Sequence, residues 1–379
     1  MGMVGGMGIN LALLLAMVAT NILSLYHLSA TIRSTNPTST PSTNPPPLHL
    51  LRQLSSIRAT ISRLSSTSSA ASSVSSSPPD LLLYASLSPI ASACHDHPDL
   101  LHAYMAYTPF STCPKNSTFI AETLILRGCH PLPRRRCFSP SPSPASSLPS
   151  SPFPSSLPNS AVLWNDYLPC KSFACVAGKV PGFDMAAEIP RFMGWSSNLD
   201  LPIPQLLQLA KSENSPIRLG LDVGGGTGTF AARMKLYNAT VVTTTLNQGV
   251  PYSEAVAARG LVPLHVPLQQ RLPVFDGAMD LVRLGRAVNR WIPSVVMEFM
   301  MWDVDRVIRR GGFLWLDHFF CKREDLDGVY GPMIDRLGYK RLKWAVANKT
   351  DGSMKSKNGG QVYLTALLHK PLAPKSTSI

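Results

Sequence analysis

The stretch IRLGLDVGGGTGTFAARM, residues 217–234, decides the fold. Ile217 to Val223 is a largely apolar run of strand length. It leads directly into Gly224-Gly225-Gly226-Thr227-Gly228, after which Phe230-Ala231-Ala232-Arg233-Met234 reads as a helix. Strand, glycine loop and helix start together make a cradle for a phosphate or a cofactor. Spacing narrows the choice. A dinucleotide fingerprint beginning at Gly224 needs glycine at 229, where Thr229 stands, and the Gly-Lys-Ser/Thr ending of a P-loop is absent. What remains is an acid, Asp222, two residues ahead of a G-x-G-x-G at Gly224, Gly226 and Gly228.

Working outward, strand and helix patterns alternate. Thr240 to Leu246 is β-branched and strand-like, Ser253 to Arg259 is helical, and Leu261 to Val266 is a third strand. Leu272 to Val282 leads into a fourth strand, Val295 to Arg309 is a long helix, and Arg310 to Leu316 is a turn and fifth strand. Tyr339 to Val346 and Gln361 to His369 supply a closing antiparallel pair. Such alternation predicts an α/β fold: a Rossmann-like sheet of seven strands, mostly parallel, with helices on both faces.

The acid and G-x-G-x-G resemble motif I of class I S-adenosylmethionine (SAM)-dependent methyltransferases, and the ordered segments over residues 160–371 resemble the rest of that domain, including Leu272-Pro273-Val274-Phe275-Asp276-Gly277 and Arg310-Gly311-Gly312. A closer similarity is to plant Golgi-type methyltransferases related to the pectin methyltransferase-like group. Its carriers are Arg135-Arg136-Cys137, Trp164 ahead of Cys170-Lys171-Ser172-Phe173, and WLDHFFC from Trp315 to Cys321. The resemblance implies SAM as cofactor, with Asp222, Gly224, Gly226 and Gly228 forming its loop, and an acceptor such as an acidic cell-wall polysaccharide or a small molecule.

The chain departs from the family pattern at the cofactor's ribose and adenine. Strand two ends in Leu246-Asn247-Gln248 where the family has an acid, so Asn247 is the expected ribose contact, and Gln269 is the expected reader of the adenine edge. Asp280 is expected to be a structural acid at strand four. Arg283 and Arg286 follow as candidate acceptor-binding cations, and Asp317 and His318, just after strand five, as candidate bases. The weakened ribose grip motivates a second reading, a non-catalytic scaffold within a glycan-synthesis complex.

The first half of the chain bears on location. Residues 2–32 carry no charged side chain, and Met7 to Tyr26 is close to continuously apolar, which predicts a single-pass membrane anchor. A stem at 33–79 includes a Leu50, Leu54, Ile57, Ile61, Leu64 seam, either an amphipathic helix docking on its own domain or a dimerising stem. A cysteine-bearing region at 80–138, a Ser/Pro linker at 139–159, the methyltransferase domain at 160–371 and a tail at 372–379 complete the plan. Six of the seven cysteines precede Pro216, consistent with three disulfides whose pairing spacing alone leaves open. Sequons at Asn116, Asn238 and Asn348 point with them to a luminal, Golgi-membrane location of type II orientation. The arginines after the apolar segment argue for the opposite orientation, and the acid-poor, Ser-rich start offers a plastid or mitochondrial small-molecule methyltransferase as the alternative.

The 379 residues are 45% hydrophobic and only 15% charged, enough for a sizeable core and too few spans for a transporter. The net charge of +13 is spread along the chain and fits a polyanionic acceptor or a generally basic solvated surface. No nucleic-acid motif and no Cys-x-x-Cys occur, so neither a nucleic-acid partner nor a structural metal is expected.

Overall fold

The computed structural model describes residues 77–88, 90–142, 149–164, 168–349 and 360–372. The apolar amino-terminal segment and the Leu50 to Leu64 seam lie outside them. Among the described residues no helix is long and apolar enough to cross a membrane.

The strands are β1 (Leu219–Val223), β2 (Thr240–Thr245), β3 (Val262–His265), β4 (Met279–Leu284), β5 (Ile308–Lys322), β6 (Lys340–Asn348) and β7 (Gln361–His369). They form one sheet in the order β3-β2-β1-β4-β5-β7-β6. The first five are parallel, and β7 runs antiparallel to both β5 and β6. This is the doubly wound layout with an antiparallel closing pair that the sequence predicts. Chain order reverses between β1 and β4, so the carboxyl ends of those strands splay apart into a crevice.

Two apolar layers cover the sheet. On one face Leu314, Leu316, Phe319 and Cys321 of β5 pack with Met297, Met301 and Val304 of the long helix Ser294–Val307, whose buried residues recur at helical spacing. On the other, Phe313 and Trp315 pack against Phe230 and Met234 of the helix Thr229–Lys235 and Leu206 of the helix Ile203–Ser212. Asp280 ties the amino ends of β1 and β4 together. It accepts from the amides of Arg218 and Leu219 at 2.8 Å each and from Arg309.

Strand β5 is longer than its sequence suggests. It begins at Ile308, which pairs with Met279, and continues beyond a bulge where Asp317 and His318 face Thr365 alone. His318 takes a left-handed φ of 55° there. The bulge swaps the strand's faces: Trp315 lies in the second layer, whereas Phe319 and Cys321 lie in the first.

Ahead of the sheet, four helices (Pro79–Leu87, Ser92–His95, Pro98–Met105 and Ser117–Leu126) gather a small core around Leu101, Tyr104, Met105 and Leu124. The bonds Cys94–Cys129 and Cys113–Cys137 hold it, and a third, Cys170–Cys175, follows; Cys321 is free and buried. Within the Arg134 to Arg136 run, Arg136 pairs with Asp80 at 2.6 Å and Arg135 lies 4.2 Å over the Tyr104 ring. This region meets the sheet through Glu122, which pairs with His265 at the end of β3 at 2.6 Å.

The expected Ser/Pro linker also proves structured over its second half. Pro152 and Leu157 are buried, and the Phe153 ring is clamped between Arg233 and Arg259, at 4.4 Å and 4.9 Å. Arg259 is fully buried. Its Nε donates to the Pro152 carbonyl, and its Nη1 to the Thr227 carbonyl and Thr229 hydroxyl. Residues 149–158 therefore strap the back of the glycine loop.

Candidate functional site

The glycine loop forms because the chain must turn sharply from β1 into the helix Thr229–Lys235. Gly224, Gly226 and Gly228 all adopt left-handed φ, at 68°, 59° and 78°. Gly225 answers to a different constraint, since a Cβ there would lie 2.2 Å from Asp222 Oδ2. No described residue lies within 4 Å of a Cβ at Gly226, which opens on the cleft.

That cleft encloses about 350 Å³ at the β1/β4 switch point, within the range of about 300–1,000 Å³ usual for small-molecule sites. Its floor is the glycine loop, and the ends of β2 and β4 contribute Thr244, Thr245, Leu246, Arg283 and Arg286. Apolar walls come from Phe192, Tyr252, Val266 and Leu268. A further wall, Pro181 to Phe192, comes from the chain before the sheet and is pinned where Thr227 Oγ1 donates to the Gly182 carbonyl at 2.7 Å. Behind it, Phe173, Phe183 and Met185 form the small core that also holds Cys170. Among the described residues lining the cleft, Glu188 is the one carboxylate, and Arg191 donates to both its oxygens at 3.0 Å.

Beneath the floor lies a buried ionic network that sequence reading does not assemble. Arg283 donates from Nη1 to Asp222 Oδ1 at 2.5 Å and from Nε and Nη2 to Asp317 Oδ2 at 3.0 and 2.5 Å. Phe192, Phe230 and Trp315 surround its guanidinium within 5.5 Å. Burial opposes ionisation of both acids. Asp317 nevertheless sits well below the usual carboxylate range, because the Arg283 charge and the neighbouring His318 favour its anion. Burial pushes the Asp222 carboxyl up instead: among the described residues it receives a single side-chain donor, and its Oδ2 is shielded with no hydrogen-bond partner. Removing one member of such a network typically costs about 3–5 kcal/mol, because a charge stays buried alone.

The expected site residues thus divide. Gly224, Gly226, Arg283 and Arg286 line the cleft. Asp222 and Gly228 support it from behind, Asp222 through Arg283 and Gly228 as the left-handed residue opening the helix Thr229–Lys235. Arg283, expected at the acceptor, has its donors committed to two carboxylates. Asn247 turns aside from the cleft: its Oδ1 accepts from the Ser253 amide at 2.9 Å and its Nδ2 donates to Glu254 at 2.7 Å, capping the helix Tyr252–Ala258. Gln269 is exposed and outside the lining. Asp317 and His318 are bonded to each other, Oδ1 to Nδ1 at 2.7 Å, and neither reaches the cleft wall. The residues that sequence reading missed are Gln248, Tyr252, Glu188, Arg191 and Phe192. Only Gln248, beside Asn247, had a local signal.

These residues fit SAM. An open glycine floor admits close backbone approach, apolar walls suit an adenine, and Glu188 with Arg191 offers both charges to an amino-acid end.

No protein-family model matches the chain. Solved structures with similar segments include a SAM-dependent methyltransferase from Methanosarcina mazei, at 11% identity over 43% of this chain and 98% of that one with a TM-score of 0.32. Another, from Clostridium acetobutylicum, matches at 11% identity over 44% and 89% with a TM-score of 0.32. At these scores the strand order described above, rather than the likeness, defines the fold. A probable methyltransferase of Arabidopsis thaliana is 60% identical over 387 residues, spanning 97% of this chain and 98% of that protein. With that identity across nearly the whole of both sequences, this chain belongs to the methyltransferase family of its Arabidopsis relative.

Proposed function

We propose that the protein transfers a methyl group from SAM to a carboxylate oxygen of an acidic carbohydrate. The observation that carries the reading is the left-handed glycine floor opening on a cleft of about 350 Å³ at the switch point of the sheet. When bound there, SAM supplies an electrophilic methyl on a sulfonium. The protein's part is to orient and to exclude water, which suffices for an in-line displacement by a nucleophile that is already an anion.

The choice of carboxylate over hydroxyl rests on the want of a free base among the described residues lining the cleft. A hydroxyl acceptor must lose its proton, yet Asp317 is ionised in a lock with Arg283 and His318 is bonded to Asp317, both outside the cleft lining. Glu188 is engaged by Arg191, and burial pushes the Tyr252 phenol up, so it remains protonated. The exposed Arg286 is the cation best situated to hold an acceptor carboxylate.

Three disulfides and a sequon on an exposed turn at Asn238 support a luminal site of action, Golgi-membrane bound through the apolar amino terminus. The full-length protein in detergent, given methyl-labelled SAM and an oligouronate, should form an alkali-labile ester. The same oligomer with its carboxyls reduced to alcohols should take no label. Alkali-stable label on both would reject the carboxylate reading.

The scaffold reading keeps one specific support, the commitment of Asn247 to a helix cap with no strand-two acid beside it. Calorimetry with SAM separates the two: a folded full-length chain that binds no SAM is a scaffold.

A further inference from the structure

Beyond Arg286 on the cleft wall, the loop after β4 carries Arg290 and Trp291, which the transfer chemistry above does not use. Asn289 stiffens it, donating from Nδ2 to the Arg286 carbonyl at 3.0 Å and accepting at Oδ1 from the Trp291 amide at 2.9 Å. The Arg290 amide then donates to the Phe320 carbonyl at 3.0 Å, which seats the loop on the part of β5 that lies past the bulge. The Arg290 guanidinium is held between two rings, 4.5 Å from Trp291 and 5.2 Å from Phe320. Phe320 in turn packs on Tyr363 at 5.3 Å, its partner across β7. Trp291 is 73% exposed, an unusual position for the largest aromatic side chain.

The charges here differ from those elsewhere on the sheet edge. Arg283, three residues before Arg286, is consumed by two carboxylates. Among the described residues neither Arg286 nor Arg290 forms an ion pair, and Arg290 Nε is shielded without any hydrogen-bond partner. Two guanidinium groups without an ion pair among the described residues, Arg286 on the cleft wall and Arg290 four residues on in the same loop beside an exposed indole, present charge and flat apolar surface together.

We propose that Arg286, Arg290, Trp291 and Phe320 form an extended acceptor subsite for a carboxylate-bearing carbohydrate chain. The arginines would hold carboxylates on successive sugars, and the indole would take the C–H face of one ring. A chain so laid along the rim presents one carboxylate at the cleft, where Arg286 stands. This deepens the methyl-transfer reading and rests on it for the identity of the bound group as an acceptor.

The test uses the full-length protein in detergent and two probes, an oligouronate and a neutral oligosaccharide of matched length, followed by Trp fluorescence and calorimetry, with SAM binding measured in parallel. The oligouronate should quench Trp fluorescence and the neutral chain should not. Arg290→Gln should weaken oligouronate binding about tenfold, the scale of one charge-assisted hydrogen bond, and leave SAM affinity in place. Trp291→Phe should abolish the quench while retaining most of the affinity, and Trp291→Ala should lose both. If SAM binds but the oligouronate does not, or binds the Arg290 variant equally well, the subsite is overturned and the transfer reading stands. If SAM fails to bind, the transfer reading fails by itself. Tighter binding of anionic lipid vesicles than of the oligouronate, sensitive to the same substitutions, would also overturn it.

Discussion

Two neighbouring glycines of the loop have opposite jobs. Gly225 faces the protein, where a Cβ would press on Asp222 Oδ2 and come within 2.6 Å of Thr243 Cγ2, while Gly226 faces the cleft with open space around it. Gly225→Ala should therefore destabilise the fold by about 1–3 kcal/mol through overpacking. Gly226→Ala should cost only about 1 kcal/mol for its left-handed φ and lose most SAM affinity, because its methyl enters the site. Thermal melts set beside calorimetry distinguish the two, and equal loss of stability in both variants would contradict the geometry. At this scale the sequence announced the loop but not its division of labour, since spacing identifies glycines without saying which way each one faces. It also misdirected Asn247, whose short amide meets a nearby helix start before it can reach a ligand. The network of Arg283 with Asp222 and Asp317 joins residues from three strands and has no local signature.

Among elements, the strap at 149–158 was the least legible. Ser and Pro dominate its composition, and Phe153 and Leu157 were its only large apolar side chains. What makes it structured is Arg259, a buried cation that has no carboxylate in direct contact among the described residues and is pushed down to about 10 by desolvation. Arg259→Met removes a costly buried charge and strands the Pro152 and Thr227 carbonyls, effects of opposite sign and similar size, roughly 1–3 kcal/mol for each carbonyl left unpaired. Stability should thus change little, whereas the glycine loop loses its rear support and the Kd for SAM should rise about tenfold. Phe153→Ala should raise it less. Unchanged SAM affinity in both would reduce the strap to a tether. The strands were far more legible, because β-branched and apolar runs of fixed period leave a local trace. The exception is β5, whose bulge at Asp317 and His318 hides its second half from any strict alternation.

For the molecule as a whole, the disulfide-bonded helices and the sheet share a pH-dependent contact. His265 is raised above its ordinary 6.5 chiefly by the hydrogen bond with Glu122; burial opposes the shift and Glu254 adds to it. His130, also nearby, is lowered by burial and by His265. A group whose folded pKa is raised lends its stability fully below the unfolded value and loses it as pH rises through the folded one. The melting temperature of the wild type should therefore exceed that of Glu122→Gln by most below the ordinary value of 6.5, the margin closing as pH rises through the raised folded value. A margin that stays constant or widens would place the coupling elsewhere. The strand order has a further consequence for biosynthesis. Strand β7 is made after β5 and β6 yet lies between them. Until a ribosome has passed His369, the nascent sheet exposes two unpaired edges, so messages interrupted between Asn348 and Gln361 should yield sticky, rapidly degraded fragments rather than partly active ones.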